Sequence, residues 1–455
     1  MKTRTAPAAA AVTALAVVSL AACGAGSGGP ATGSATAPVT ASAGATAPGV
    51  PAAPRHALPE PYDNGKGWAA KPEDGSVLSS PIVAPGAGLV LFRSVSADLG
   101  TERVVARDAR TGVPRWSSRP AKRSAGSAGG FESTDASLLL THDHGRELVV
   151  LASGGVEGAA TVTRLAVFDP AGASGDQAAP LREVTVSRLR TGALTASWEN
   201  GLVTVPVQDG VVVVDVTSGQ VTVHDRQSPA RKAPKPCPRV LENCDAAISR
   251  IVGATSAGPL VEGYQAFWSG PWISDDVVPP EAAGPGGVRG VRVWGTGTGD
   301  VLAAWPTKDD APDRAVWALH GGADGKVLAS VTCAVDGTPG EPFLTGGGRY
   351  LVAGAVVFDT RSGQGFCFEP SASRTGTRVR TVDPEGTAYG SARSGAALWD
   401  GKAFDRSPAS IDLAAGGRVS DQAAGTLVPD RADGGVAVIG GTTASGGVIL
   451  VYPHR

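Results

Sequence analysis

One pattern recurs along this chain: an apolar run ending in Asp, a tight turn closed by Gly, and a second run carrying an aromatic residue. A unit repeated at intervals of about 40 to 60 residues limits the fold more than any other feature, because such units cannot bury their faces alone and must stack. The sharpest copy is Val104-Val105-Ala106-Arg107-Asp108-Ala109-Arg110-Thr111-Gly112-Val113-Pro114-Arg115-Trp116. Weaker copies stand at Val213-Val214-Asp215 with Gly219, and at Val357-Phe358-Asp359 with Ser362-Gly363. Val293-Trp294-Gly295 with Thr298-Gly299 lacks the Asp. Degenerate copies are Val167-Phe168-Asp169, Ala318-Leu319-His320 with Asp324-Gly325, and Leu398-Trp399-Asp400.

The physics of the unit is that of an antiparallel hairpin. Asp caps free backbone N–H groups, Gly takes the left-handed position, and a flat Trp ring buries area between two sheets. Strand-like runs precede the copies, as at Gly88-Leu89-Val90-Leu91-Phe92, Gly201-Leu202-Val203-Thr204-Val205 and Tyr350-Leu351-Val352-Ala353. Sixty-three Gly and 34 Pro suit many short strands joined by turns and leave little room for long helices. The expected class is therefore all-β.

The sharp copy resembles the tryptophan-docking repeat of quinoprotein-type (PQQ-like) β-propellers, with Ala106, Asp108, Thr111, Gly112 and Trp116 at the family's offsets. The resemblance implies a single propeller over residues 56–455, with seven or eight four-stranded blades. The ends fit a closed ring: Gly447-Val448-Ile449-Leu450-Val451-Tyr452 reads as an inner strand, and Gly65-Lys66-Gly67-Trp68 resembles its Trp-bearing outer partner.

The N-terminus specifies location. Lys2 and Arg4, an apolar stretch from Ala8 to Leu20, and Leu20-Ala21-Ala22-Cys23 read as a signal peptide over 1–22 ending in a sequence that resembles the bacterial lipobox. The apolar stretch is shorter than the roughly 20 residues of a spanning helix. The resemblance implies lipid attachment at Cys23, which opens a linker over 23–55 built almost wholly of Gly, Ala, Ser, Thr, Pro and Val. Such a coil spans roughly 30 Å and would stand the folded domain off the extracytoplasmic face of the membrane.

With Cys23 committed to lipid, Cys237, Cys244, Cys333 and Cys367 are an even set in an oxidising compartment. Of three connectivities, Cys237 with Cys244 across a Pro-rich loop, and Cys333 with Cys367, is preferred. Cys367 falls at the offset of Trp116, so its bond is expected to tie neighbouring blades covalently.

Chemistry is less legible. Charges of 40 basic and 42 acidic residues give no field for a phosphate backbone, and nucleic acid is not an expected partner. No cofactor is expected. The quinoproteins resembled carry an adjacent Cys-Cys pair, absent here, and no convergent carboxylate set for PQQ with calcium is visible. His142-Asp143-His144 and the cluster Asp309, Asp310, Asp313 are expected to be solvated loops and not metal sites; no catalytic residue is assigned. The least repetitive stretch, Gln227 to Glu281, places Tyr264, Phe267, Trp268 and Trp272 close together, either as a partner surface or as the core of an irregular blade.

The leading functional reading is a non-enzymatic, lipid-tethered scaffold that binds an envelope protein or ligand and is monomeric by itself. The alternatives are an enzyme with its active site in the central funnel, and a ligand-capture or sensor lipoprotein.

Overall fold

The computed structural model describes residues 49–72, 76–123, 136–157, 160–188, 191–192, 194–234, 249–263, 266–284, 290–335, 342–370, 376–392, 408–443 and 446–455. Cys23, Cys237, Cys244, Tyr264 and Leu398-Trp399-Asp400 lie outside them. All the described residues belong to one unit, Gly44–Arg455.

That unit is a ring of eight sheets, seven of four strands and one of six. The first blade is Val77–Ala84, Leu89–Val95, Thr101–Asp108 and Pro114–Ser118, with Ala121–Lys122 and Gly175–Ala178 added. The second comprises Ala136–Asp143, Arg146–Glu157, Ala160–Phe168 and Arg182–Val186. The third holds Thr195–Ala196, Leu202–Val207, Gly210–Asp215 and Val221–His224; the fourth, Arg250–Thr255, Gly258–Glu262, Phe267–Ser269 and Trp272–Ile273. Arg292–Gly295 to Val327–Ala334 form the fifth, Phe343–Thr345 to Gln364–Cys367 the sixth, and Thr377–Val382 to Arg418–Asp421 the seventh. First strands meet first strands around the axis, so each blade runs from the channel outward.

The eighth blade closes the ring. Arg431–Asp433, Val436–Thr443 and Gly446–Pro453 come from the C-terminal end, and the outer strand Trp68–Ala70 comes from the other end of the domain, with Trp68 opposite Val451. This is the closure expected from the sequence, and it leaves the last sheet without a missing strand.

The turn logic also holds. Asp108 Oδ1 accepts from the N–H groups of Arg110 and Thr111 at 3.1 and 2.9 Å. Asp169, Asp215 and Asp359 cap their own turns in the same way. The docked ring meets the turn and not the Ala of the repeat. Trp116 pairs with Ala106 inside its own blade, whereas the ring arriving from the preceding blade is Trp68, whose Nε1 donates to the Ala109 carbonyl at 3.0 Å. Gly112, at φ 72°, gives it room: a Cβ there would lie 2.6 Å from Trp68 Cδ2. Trp116 repeats the device one blade on, donating to the Pro170 carbonyl at 3.1 Å, and Trp272 does so to Gly322 at 3.0 Å.

One sequence copy is displaced. Gly295 and His320 end the first and third strands of one blade, so Val293-Trp294-Gly295 is an inner hairpin and no repeat copy. The long gap before it holds the fourth blade, which turns on Gly270 without any Asp and therefore leaves no signature.

Cys333 and Cys367 are bonded, with Cα atoms 5.6 Å apart, and join the outer strands of the fifth and sixth blades. The offset that equated Cys367 with Trp116 is one residue out of register. Phe366 pairs with Val357 as Trp116 pairs with Ala106, and it stacks on Phe368 in the core shared with the seventh blade. The bond reaches back to the preceding blade while the aromatic packs forward.

Candidate functional site

In a propeller each blade is sandwiched between two others, so both of its faces should be apolar. The third blade breaks that rule. Alternation along its strands sends Val203, Val205, Val207, Val212, Val214 and Val216 into a core of 14 buried residues shared with the second blade. The opposite face carries Leu202, Thr204, Val213, Asp215, Gln220, Thr222 and His224. Toward the fourth blade it contributes a single buried side chain, Val211, to a cluster otherwise built from the fourth blade.

Hydroxyl groups replace the missing apolar contact. A cleft of about 300 Å³ opens between the third and fourth blades. Thr195, Ser197 and Asn200 line it from the third blade's inner hairpin, Ala254, Thr255, Ser256 and Gly258 from the fourth, and Thr296, Thr298 and Gly299 from the fifth. Burial alone would raise Asp215, but hydrogen bonds from the Ser218 hydroxyl and the Ser218 and Thr217 N–H groups outweigh it and hold the carboxyl below its usual range. Burial pushes the His224 imidazole below its ordinary value, with Asp225 opposing. Near neutral pH the lining is thus made of neutral hydrogen-bonding groups plus one carboxylate committed to its own turn. Such a surface can recognise a slim uncharged ligand and offers an anion no cation.

Inner hairpins of four blades meet around Trp198. Trp198, in the third blade's inner hairpin, donates its N–H to the Gly297 carbonyl of the fifth blade at 2.6 Å. Its indole lies where a Cβ on Gly348 of the sixth blade would come within 2.4 Å of Nε1, and it packs on His142 with ring centroids 4.2 Å apart. Glycine at 348 lets inner hairpins from distant blades meet on the axis.

Beside these hairpins sits a strongly perturbed carboxyl. Asp433 in the eighth blade accepts from the Gly347 N–H at 3.0 Å and is pushed up to about 7, mainly by burial, with Asp383 and Glu385 adding and the Gly347 N–H and Arg431 opposing. Burial also raises Asp383, which accepts from the Tyr389 hydroxyl at 2.9 Å. The signal in sequence was only Asp433-Gly434-Gly435, an ordinary turn; the carboxylates converge through the ring and not along the chain.

Other sequence candidates take up structural roles. Phe267, Trp268 and Trp272 are 0, 1 and 5% exposed. Phe267 and Trp272 pack with Trp305 against the fifth blade, and Trp268 turns the other way, its Nε1 donating to the Ala230 carbonyl. A partner surface needs exposed side chains, so these three form a core and no such surface. His144 is solvated at φ 51° in a hairpin turn, as expected, but His142 is not: its side chain is 15% exposed under Trp198. Asp309, Asp310 and Asp313 occupy the turn after Val301–Pro306. Among the described residues, the group of Cys, His, Asp and Glu near enough to hold an ion is Cys333, Cys367 and Glu369, and its two thiols are consumed by their own bond.

No protein-family model matches the chain, and no curated protein matches it. The chain is similar to Porphyromonas gingivalis dipeptidyl peptidase 4, at 10% identity over 82% of this chain and 57% of that one, with a TM-score of 0.40. It is similar to BamB from Moraxella catarrhalis, at 12% identity over 88% of this chain and 95% of that one, with a TM-score of 0.35. A third is Pyrococcus horikoshii acylaminoacyl peptidase, at 11% identity over 72% of this chain and 51% of that one, with a TM-score of 0.33. The chain spans little more than half the length of the two peptidases.

Proposed function

We propose that this chain is a lipid-anchored, extracytoplasmic propeller acting as a non-enzymatic binding scaffold at the cell envelope, with the cleft between its third and fourth blades as the ligand surface. The observation that carries the reading is the neutral, hydroxyl-rich face of the third blade, directed at the junction with the fourth blade, to which it gives the single buried apolar side chain of Val211. Neutral donors and acceptors on rigid strands favour recognition over bond-making chemistry. The leader, Cys23 and the linker support the location.

Two measurements test it. Cys23→Ala is expected to abolish incorporation of labelled palmitate and shift the protein from the membrane to the soluble fraction; unchanged fractionation sinks the anchor. A photo-crosslinker at Thr222 should capture one envelope component reproducibly in cells, while one at the exposed Leu328 of the fifth blade should not. Equal capture at both positions, or none at Thr222, rejects the cleft as a ligand surface.

A further inference from the structure

Every blade of a propeller ends in an outer strand whose far edge is open, and folded proteins protect such edges with charge or cover. The outer strand of the first blade is covered: Gly175–Ala178, from a loop of the second blade, lies parallel along it, Gly175 opposite Trp116 and Ala178 opposite Ser118. The second blade's outer strand carries Arg182 and Glu183, and the seventh's carries Arg418 and Asp421. The third blade ends in Val221-Thr222-Val223-His224, with Val221, Thr222 and Val223 all exposed, no charged residue, and no strand beyond it among the described residues.

The register says which backbone groups are on offer. Asp215 N–H donates to the Gln220 carbonyl, so in this antiparallel pair the groups of Thr222 and His224 turn inward toward Val213 and Val211. Val221 and Val223 therefore turn their N–H and C=O outward. Their side chains, 40 and 46% exposed, lie on the face toward the second blade, while Thr222 and His224 line the cleft on the other.

We propose that the outer edge of the third blade is a β-augmentation site that takes an extended, uncharged segment of a partner protein, with alternating apolar and small hydroxyl side chains. This rests on the scaffold reading and specifies its ligand. An added strand would form backbone hydrogen bonds to Val221 and Val223, set apolar side chains beside theirs, and drop its alternate residues into the hydroxyl-lined cleft. The edge carries no charge and the cleft lining only Asp215, whose carboxylate is committed to its own turn, so neither offers a partner to an acidic or basic segment. The first blade shows that this fold accepts such a strand.

The test uses the full chain in detergent and two synthetic octapeptides, one alternating Ser or Thr with Val, the other with its hydroxyl residues replaced by Glu and Lys. The alternating peptide is expected to slow amide exchange at Val221 and Val223 by about tenfold or more, leaving Thr222, already bonded within the sheet, unchanged. Val223→Pro, which removes one outward N–H without touching the internal ladder, should abolish that protection at Val221 while keeping the thermal midpoint. Exchange unaffected by the alternating peptide, equal protection by the charged peptide, or protection surviving in Val223→Pro overturns the proposal. The two readings separate in cells: crosslinking from Thr222 that persists in Val223→Pro rejects the edge and leaves the scaffold standing, whereas no crosslinking in the parent chain removes the scaffold reading itself.

Discussion

Asp433→Asn should make this protein more stable above pH 7 while leaving it unchanged near pH 4. The carboxyl of Asp433 is pushed from 3.8 up to about 7 by burial beside Asp383 and Glu385, against which the Gly347 N–H and Arg431 give partial relief. Between those two values the native state keeps a proton that the unfolded chain has released, so stability falls as pH rises through the window and is flat above it. A shift of that size corresponds to about 4 kcal/mol at most, and because the side chain is partly solvent-accessible a discounted expectation is about 2 kcal/mol. Asparagine keeps the acceptor for Gly347 and removes the titration. His320 tilts the parent curve the other way, since burial lowers it to about 4 and the native state resists protonation as pH falls below 6.5. Only the difference between variant and parent isolates Asp433. The assay is urea unfolding followed by tryptophan fluorescence from about pH 4.5 to 8.5. The difference should grow through the window and then plateau; a constant offset at every pH would refute the assignment of the titration to Asp433.

Three further outcomes follow from the packing. Replacing Cys333 and Cys367 together by Ser should cost about 3 to 4 kcal/mol, the chain entropy released by opening a loop of sequence separation 34, and reductant should reproduce the loss in the parent chain but not in the variant. Trp268→Ala should cost about 3 to 5 kcal/mol in thermal or urea unfolding, as for an aromatic removed from a core, and crosslinking from Thr222 should survive it; a stable variant that loses crosslinking would return Trp268 to the binding surface. Gly112→Ala places a Cβ at 2.6 Å from the Trp68 ring at a left-handed position, and should destabilise by more than about 1 kcal/mol, with faster amide exchange concentrated in Trp68–Ala70.

The fold was legible where local chemistry and tertiary role coincide. Asp108, Thr111 and Gly112 must sit together to make their turn, so the turn is written in consecutive residues. Trp68 announced the closing strand because its partner strand, Gly446–Pro453, was equally plain. Legibility ended where pairing depends on register. The offset of Cys367 misassigned the docking position by one residue because a bulge opposite Ala106 and Arg107 inserts one extra residue before Trp116, which the Asp359 hairpin lacks. The fourth blade carried no repeat signature because its turn rests on Gly270 without an Asp, and its aromatics Phe267, Trp268 and Trp272 left it legible only as one of two readings. The cleft was present in the sequence as a contrast, with valine at every other position of 203–207 and 212–216, Thr204 and Asp215 between them, and Thr222 and His224 on the next strand. Only a known sandwich of blades makes polar residues on the second face unusual. Asp433 and Trp198 were beyond reach, since what surrounds them comes from blades far apart in the chain.

The way the ring is sealed also determines where a mechanical load would enter it. Trp68–Ala70 is the first strand of the domain and directly follows the segment through which any pull from the N-terminal side is transmitted. That pull would not act on a peripheral loop. It would first bear on Pro51 to Ala53, which are hydrogen-bonded to Ala69 and Gly67, and through them on the seam where Trp68–Ala70 pairs with Ile449–Val451. Under such a load the seam would act as a force-bearing clasp, since the strand beside the point of entry is the one whose loss would reopen the circle.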